Sequence, residues 1–166
     1  MWKQILDFFA DSPSQQKVIQ FILENGISID ENGKPTINGI ELGASALSRS
    51  IGVDRRVVDT ALRSILQNQE FRQVFSHLRA TPDLTNVAKS LGLSVITIFP
   101  KNAEDKNIVA SAVGVISAYG LTLRQIFVTD PYTTEHPKLV LIIDGTVPAT
   151  VISDLRGLPA VESIIL

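Results

Sequence analysis

The chain has no cysteine, only two histidines, and a single methionine and tryptophan among its 166 residues. The first absence excludes disulfides, thiolate nucleophiles and cysteine-based zinc sites. The second leaves His77 and His136 too few for most histidine-rich metal centres. Long apolar runs are also missing. The longest, Leu139 to Ile143, is five residues, far from the ~18 of a membrane helix. Asp7 and Asp11 flank a short apolar cluster at the start, a pattern unlike a secretory leader, so a cytoplasmic location without a membrane partner is expected. The phosphate loop, the His-Glu-x-x-His helix and the Gly-x-Ser-x-Gly elbow are absent too. With no identifiable partner to orient either histidine, the expectation is a protein that is not an enzyme and needs no cofactor. Asp130 and Asp144 border strand ends, where turn roles are the default.

What remains is ordinary for a globular protein: 45% hydrophobic, 19% charged, net charge −2. The pattern of apolar residues changes near residues 84–93. Before it they recur at helical spacing; after it come short Val-, Ile- and Thr-rich runs alternating with helical stretches. The reading is an α+β chain in three parts: a mainly helical domain over 1–80, a connecting helix over 81–92, and a second domain over 93–166.

In the first part, Trp2, Ile5, Leu6 and Phe9 form a one-sided stripe. Ser12-Pro13 restarts a helix by the cap-and-proline rule, with Val18, Ile19, Ile22 and Leu23 inward, and Asn25-Gly26 ends it. Residues 27–42 suggest a hairpin around Glu31-Asn32-Gly33-Lys34. Helices are expected over 44–51, 54–66 and 70–79. From Thr81-Pro82 a further helix would turn Leu84, Val87, Ala88 and Leu91 inward and close at Gly92.

The pair of helices meeting at Gly52 resembles a helix-turn-helix. Leu47, Ile51, Val53, Val58 and Ala61 fall where two crossing helices share a core, and Gly52 sits where the turn needs positive φ. Asp54 caps the second helix, leaving Arg55, Arg56, Thr60 and Arg63, with Arg49 from the first, to project outward toward double-stranded DNA. Residues 44–79 hold six arginines against Asp54, Asp59 and Glu70, a local excess of three positive charges in an acidic protein. A helical hairpin with solvated arginines that serves protein contacts has the same pattern.

The second part reads strand (93–99), helix (108–119), strand (121–129), strand (138–144), helix (148–156), strand (161–166), with a polar loop over 130–137. This βαββαβ order implies a ferredoxin-like four-stranded antiparallel sheet with both helices on one face. Val109, Ala112, Val113 and Ile116 are expected on the inner side of its first helix. The third strand is apolar at consecutive positions, so both its faces should be buried. Either a second copy, giving a homodimer through the sheets, or the first domain would supply the cover.

The stretches Asn102-Ala103-Glu104-Asp105-Lys106-Asn107-Ile108 and Val113-Gly114-Val115-Ile116-Ser117-Ala118-Tyr119-Gly120-Leu121-Thr122-Leu123, with the closing Leu158-Pro159-Ala160-Val161-Glu162-Ser163-Ile164, resemble the ACT domain across residues 93–166. The resemblance implies binding of a small effector of the amino-acid class, usually between paired copies. It points to Asn102, Asp105, Lys106, Asn107, Ile108 and Thr122 as effector-binding residues. Lys106-Asn107 stands where the family usually has Pro-Gly, and Thr122 where it often has Asn. Asparagine tolerates the left-handed conformation, and a threonine hydroxyl can donate or accept. The start of the first helix also offers unpaired N–H groups to a carboxylate; Asp105 would face an ammonium group and Lys106 a carboxylate. The two halves together are similar to predicted regulators of amino-acid metabolism known mainly from archaea. They imply a dimeric transcriptional regulator whose effector alters the spacing of its DNA readers, or else a module that controls an enzyme by contact.

Overall fold

The structure, a computed structural model, describes residues 2–129, 131, 134 and 136–166, apart from the side chain of Trp2. Asp130, expected to make a turn, and the Trp2 side chain of the first stripe therefore lie outside the described residues. The chain forms two compact units, Met1–Pro82 and Asp83–Leu166.

In the first unit, α1 (Trp2–Phe8) and α2 (Pro13–Glu24) precede a small antiparallel sheet of β1 (Ser28–Ile29), β2 (Pro35–Ile37) and β3 (Ile40–Glu41). Ser12 occupies the cap position of α2, though its side chain makes no cap bond. The expected hairpin is β1–β2, and a second one follows it. Ile37 pairs with Ile40 across Asn38-Gly39, both at positive φ (48° and 89°). This is the geometry of a two-residue mirror-image turn. The Asn-Gly pair is a legible signal for this third strand, which the single expected hairpin left out.

Three helices complete the unit: α3 (Ala44–Ile51), α4 (Arg55–Gln67) and α5 (Gln69–Phe75). The last stops four residues short of the expected 79. Ser76 Oγ and His77 Nδ1 both reach the Gln73 carbonyl, at 3.3 Å and 2.8 Å. That carbonyl is the acceptor that the next helical turn would need. The core joins Ile5 and Phe9, Val18, Ile19 and Ile22, Leu47, and Val58, Ala61 and Ile65 to Phe71 and Phe75.

In the second unit, β4 (Leu93–Pro100), α6 (Ile108–Ala118), β5 (Leu123–Val128), β6 (Leu139–Asp144), α7 (Ala149–Arg156) and β7 (Val161–Ile165) follow the expected order. The sheet runs β5-β6-β4-β7, antiparallel throughout. One of its faces meets α6 and α7 in a core of Ile96, Ile98, Leu139, Leu141 and Ile143 with Ala112, Ile116, Val151 and Leu155. The inner stripe of α6 is Ile108, Ala112 and Ile116, with Val115 packed beside it. Val109 is exposed, so the stripe is rotated from the one expected.

Residues 81–92 do not form a helix. The Asp83 carboxylate accepts the Thr85 N–H at 2.8 Å, and the Leu84 N–H goes to Gln125 Oε1 at 3.1 Å. Only Ala88–Leu91 form a 3-10 turn, closed by Gly92 at φ 71°. This irregular segment has a structural role: Ala88 and Leu84 pack with Val140 and Ile142 on the sheet face away from the helices. All five apolar residues of β6 are therefore buried, as expected, but the second face is covered by residues just preceding the sheet.

Candidate nucleic-acid interface and effector cavity

The turn between α3 and α4 is built as its residues dictate. Gly52 adopts φ 75°, ψ 37°, and its N–H closes α3 on the Ser48 carbonyl. Only glycine takes that conformation without strain. The Asp54 carboxylate then accepts the Arg56 N–H at 2.7 Å, which caps α4. With two helices joined by this short turn, Val58, Ala61, Leu62 and Ile65 form the buried side of α4.

At ~100° per residue that stripe fixes what faces outward. Arg56, Thr60, Arg63 and Gln67 lie nearly opposite it, and none of the four is buried. Thr60 Oγ1 donates to the Arg56 carbonyl at 2.7 Å, leaving its lone pairs to accept. Arg55 is turned to the flank, where Nε lies 3.6 Å from the Asp59 carboxylate. Arg49 is exposed on α3. The structure thus gathers Arg56, Thr60 and Arg63 on one helix face, sets Arg55 beside an acid, and adds Gln67. Its helical spacing from Arg56, Thr60 and Arg63 was a signal available in the sequence.

In the second unit a cavity of about 330 Å³ lies at the start of α6, lined on one side by Asp105, Asn107, Ile108 and Ser111 and on the other by residues 158–161. The size is that of a small-molecule site. The preceding loop is stiffened by its own carboxamide and carboxylate. Asn102 Oδ1 accepts the Glu104 N–H at 3.0 Å, and Asp105 Oδ1 accepts the Asn107 N–H at 2.9 Å. Lys101 Nζ donates to the Pro159 carbonyl at 2.8 Å, tying the two walls together.

Asn107 stands at the cap position with φ −102° and makes no side-chain cap bond, so the turn is made without the left-handed backbone anticipated for it. Of the expected effector residues, Asp105, Asn107 and Ile108 share the cavity. Asn102 and Lys106 belong to the same loop without lining it. Thr122 lies beyond the other end of α6, whose rise per residue makes it about 16 Å long. The Thr122 carbonyl accepts the Asp144 N–H at 2.8 Å. Ser111, one helical turn after Asn107, is a wall residue absent from those expected.

His77 and His136 are both exposed, and among the described residues no group of three or more His, Cys, Asp or Glu could hold a metal ion. No described helix is long and apolar enough to cross a membrane.

No family model and no curated protein matches the chain, so the ACT likeness rests on the stretches at 102–108, 113–123 and 158–164. Among solved structures the chain is similar to an AsnC family transcriptional regulator from Agrobacterium tumefaciens, with 10% identity and a TM-score of 0.30 over 93% of this chain and 86% of that one.

Proposed function

We propose that the protein is a ligand-responsive regulator rather than an enzyme: α3 and α4 bind double-stranded DNA, and the second unit is an ACT-like sensor of an amino-acid-class effector. The observation that carries this reading is the face of α4. Arg56 and Arg63 flank Thr60 directly opposite a fully apolar stripe, so packing spends none of them. A capped helix following a short turn, with cations on its outer face, suits entry into the major groove with phosphates within reach. Two copies would present two such helices to two half-sites, so we assign a homodimer paired through the sheets of the second unit.

The sensing half rests on the βαββαβ order and on the cavity where Asp105 and the start of α6 face residues 158–161. An ammonium group suits Asp105, and a carboxylate suits the N–H groups of the first turn, since Asn107 leaves them uncapped.

Fluorescence anisotropy with a mixed-sequence duplex tests the first half. Binding should weaken linearly in log–log form as salt rises. Absence of binding at low salt would refute DNA recognition and leave a module acting by protein contact. A thermal-shift panel of the amino acids and their biosynthetic end products tests the second half, because a specific ligand raises stability by mass action.

A further inference from the structure

We propose that the first unit carries a binding site of its own for a basic α-amino acid, in a cavity of about 670 Å³ between the turn after β1 and the end of α5. This site is independent of both the α4 face and the cavity at α6. Its volume is that of a small-molecule site. Asp30 and Glu31 line one side, Arg72 and His77 the other. Acids on one side thus face a guanidinium on the other without closing on it. Among the described residues, neither carboxylate comes within 4.0 Å of the Arg72 nitrogens, whereas Lys34–Glu41 and Arg55–Asp59 do pair. Lys34, on the same turn, is engaged by Glu41 at 2.9 Å. The carboxylates therefore outnumber the guanidinium by two to one. A ligand that balances them carries two cationic groups and one carboxylate, which describes a basic amino acid.

Local bonds fix the two walls and divide the roles. Asp30 Oδ1 accepts the Asn32 and Lys34 N–H groups at 2.9 Å and 2.8 Å, which leaves Oδ2 for a ligand. A single oxygen suits a compact ammonium. Among the described residues the Glu31 carboxylate accepts no hydrogen bond, so both its oxygens are available to the paired N–H groups of a guanidinium. Arg72 offers the same fork in reverse to the ligand's carboxylate. On that side the contacts that end α5 also hold the His77 ring. Its Nδ1 lies 2.8 Å from the Gln73 carbonyl and 3.0 Å from Ser76 Oγ, and Nε2 remains as a polar edge. A neutral amino acid would leave one carboxylate without a cation, and a diamine would leave Arg72 without an anion. Each exposed charge pair alone contributes little, so selectivity lies in the three together.

The test titrates the full chain, labelled for NMR, with L-arginine, L-citrulline and agmatine at low salt. Citrulline replaces the guanidinium with a neutral group of similar shape, and agmatine lacks the carboxylate. Arginine should shift the amides of residues 29–34 and 71–77. Citrulline and agmatine should each bind about five-fold more weakly, as for one exposed charge pair. Glu31→Gln should abolish the preference over citrulline while keeping that over agmatine, and Arg72→Gln should do the reverse. Both positions are exposed, so the fold tolerates the changes. The proposal is overturned by no shifts at millimolar arginine, by citrulline or agmatine binding as tightly as arginine, or by either variant keeping the preference it should lose. Shifts confined to residues 102–111 and 158–161 overturn it as well, and would place the amino acid in the cavity at α6 instead.

Discussion

A β-carbon placed on Gly26 would stand 2.5 Å from the carbonyl oxygen of Arg79, and Gly26 itself sits at φ 59°. Both the left-handed backbone and the close approach demand glycine, and the Arg79 carbonyl, being main chain, cannot swing aside. The same stretch is held again where Asn38 Nδ2 donates to the Ala80 carbonyl at 3.1 Å. Gly26→Ala should therefore cost ~1–2 kcal/mol for the backbone and more for displacing residues 79–80. Gly52→Ala makes the comparison: φ is 75°, but nothing lies within 4 Å, so only the backbone cost applies. Hydrogen exchange of the amides of α2 and α4 should show Gly26→Ala as the larger loss. Equal losses would mean that the close approach to Arg79 contributes nothing.

The α4 face makes an electrostatic prediction with opposite signs. Arg56→Ala and Arg63→Ala should each weaken binding to every duplex sequence where they meet phosphate, and lower the salt slope by ~0.9 for each phosphate no longer neutralised. Asp59→Asn should tighten binding, since it removes the acid 3.6 Å from Arg55 and one negative charge from the approach to DNA. Anisotropy titrations at three salt concentrations distinguish these effects. A weaker Asp59→Asn would show that the Arg55–Asp59 pair positions the arginine rather than masking it.

Local chemistry made much of the fold readable. Asn25-Gly26, Gly52-Val53-Asp54 and the consecutive apolar run of β6 each carry their own instruction, and each element lies where it was expected. What eluded the sequence was set by contacts remote in the chain. Residues 81–87 have the apolar spacing of a helix, yet Leu84 donates to Gln125, a partner no periodicity reveals. The loop before α6 was placed by its residues, but Ser111 and residues 158–161 become the walls of the cavity only once β7 returns beside β4.

The covering segment supplies a stability prediction. Ala88 is 1% exposed and packs against Val140 and Ile142. Ala88→Asp would bury a carboxylate with no partner and uncover the second sheet face. A loss of roughly 3–5 kcal/mol is expected. Val87, one residue earlier, is 46% exposed. Val87→Asp should change stability by less than ~0.5 kcal/mol. Urea unfolding followed on the β6 amides measures both. Similar values would show that the segment only drapes over the sheet.

Tyr119 donates from its hydroxyl to the Asp154 carboxylate at 2.6 Å, linking the end of α6 to α7. That hydrogen bond, more than any other influence, raises the Tyr119 phenol above its ordinary range. Since the neutral phenol is the donor, its contribution to stability is complete below the ordinary tyrosine range and lost as pH rises through the raised folded value. Ultraviolet titration should place Tyr119 above a free tyrosine, and Asp154→Ala should return it toward the ordinary value. Tyr119→Phe should remove this part of the alkaline fall in stability. A Tyr119 titration unchanged by Asp154→Ala would show that the bond does not hold the proton in solution.

The cavity at the start of α6 can be closed without touching the loop that defines it. Ser111 lines it from α6, and leucine is favourable in a helix, so Ser111→Leu should fill the space while keeping the backbone intact. A ligand at about one hundred times its dissociation constant stabilises by about 2.7 kcal/mol, a readily measured rise in melting temperature. Ser111→Leu should abolish that rise for the amino acid that produces it, whereas Thr122→Ala, at the far end of α6, should leave it in place. Asp105→Asn separates the two chemical roles, because it keeps an acceptor for the Asn107 N–H but discards the negative charge that would meet an ammonium group. If Thr122→Ala removes the response and Ser111→Leu spares it, the effector binds at the opposite end of the helix, and the cavity between Asp105 and residues 158–161 is not its site.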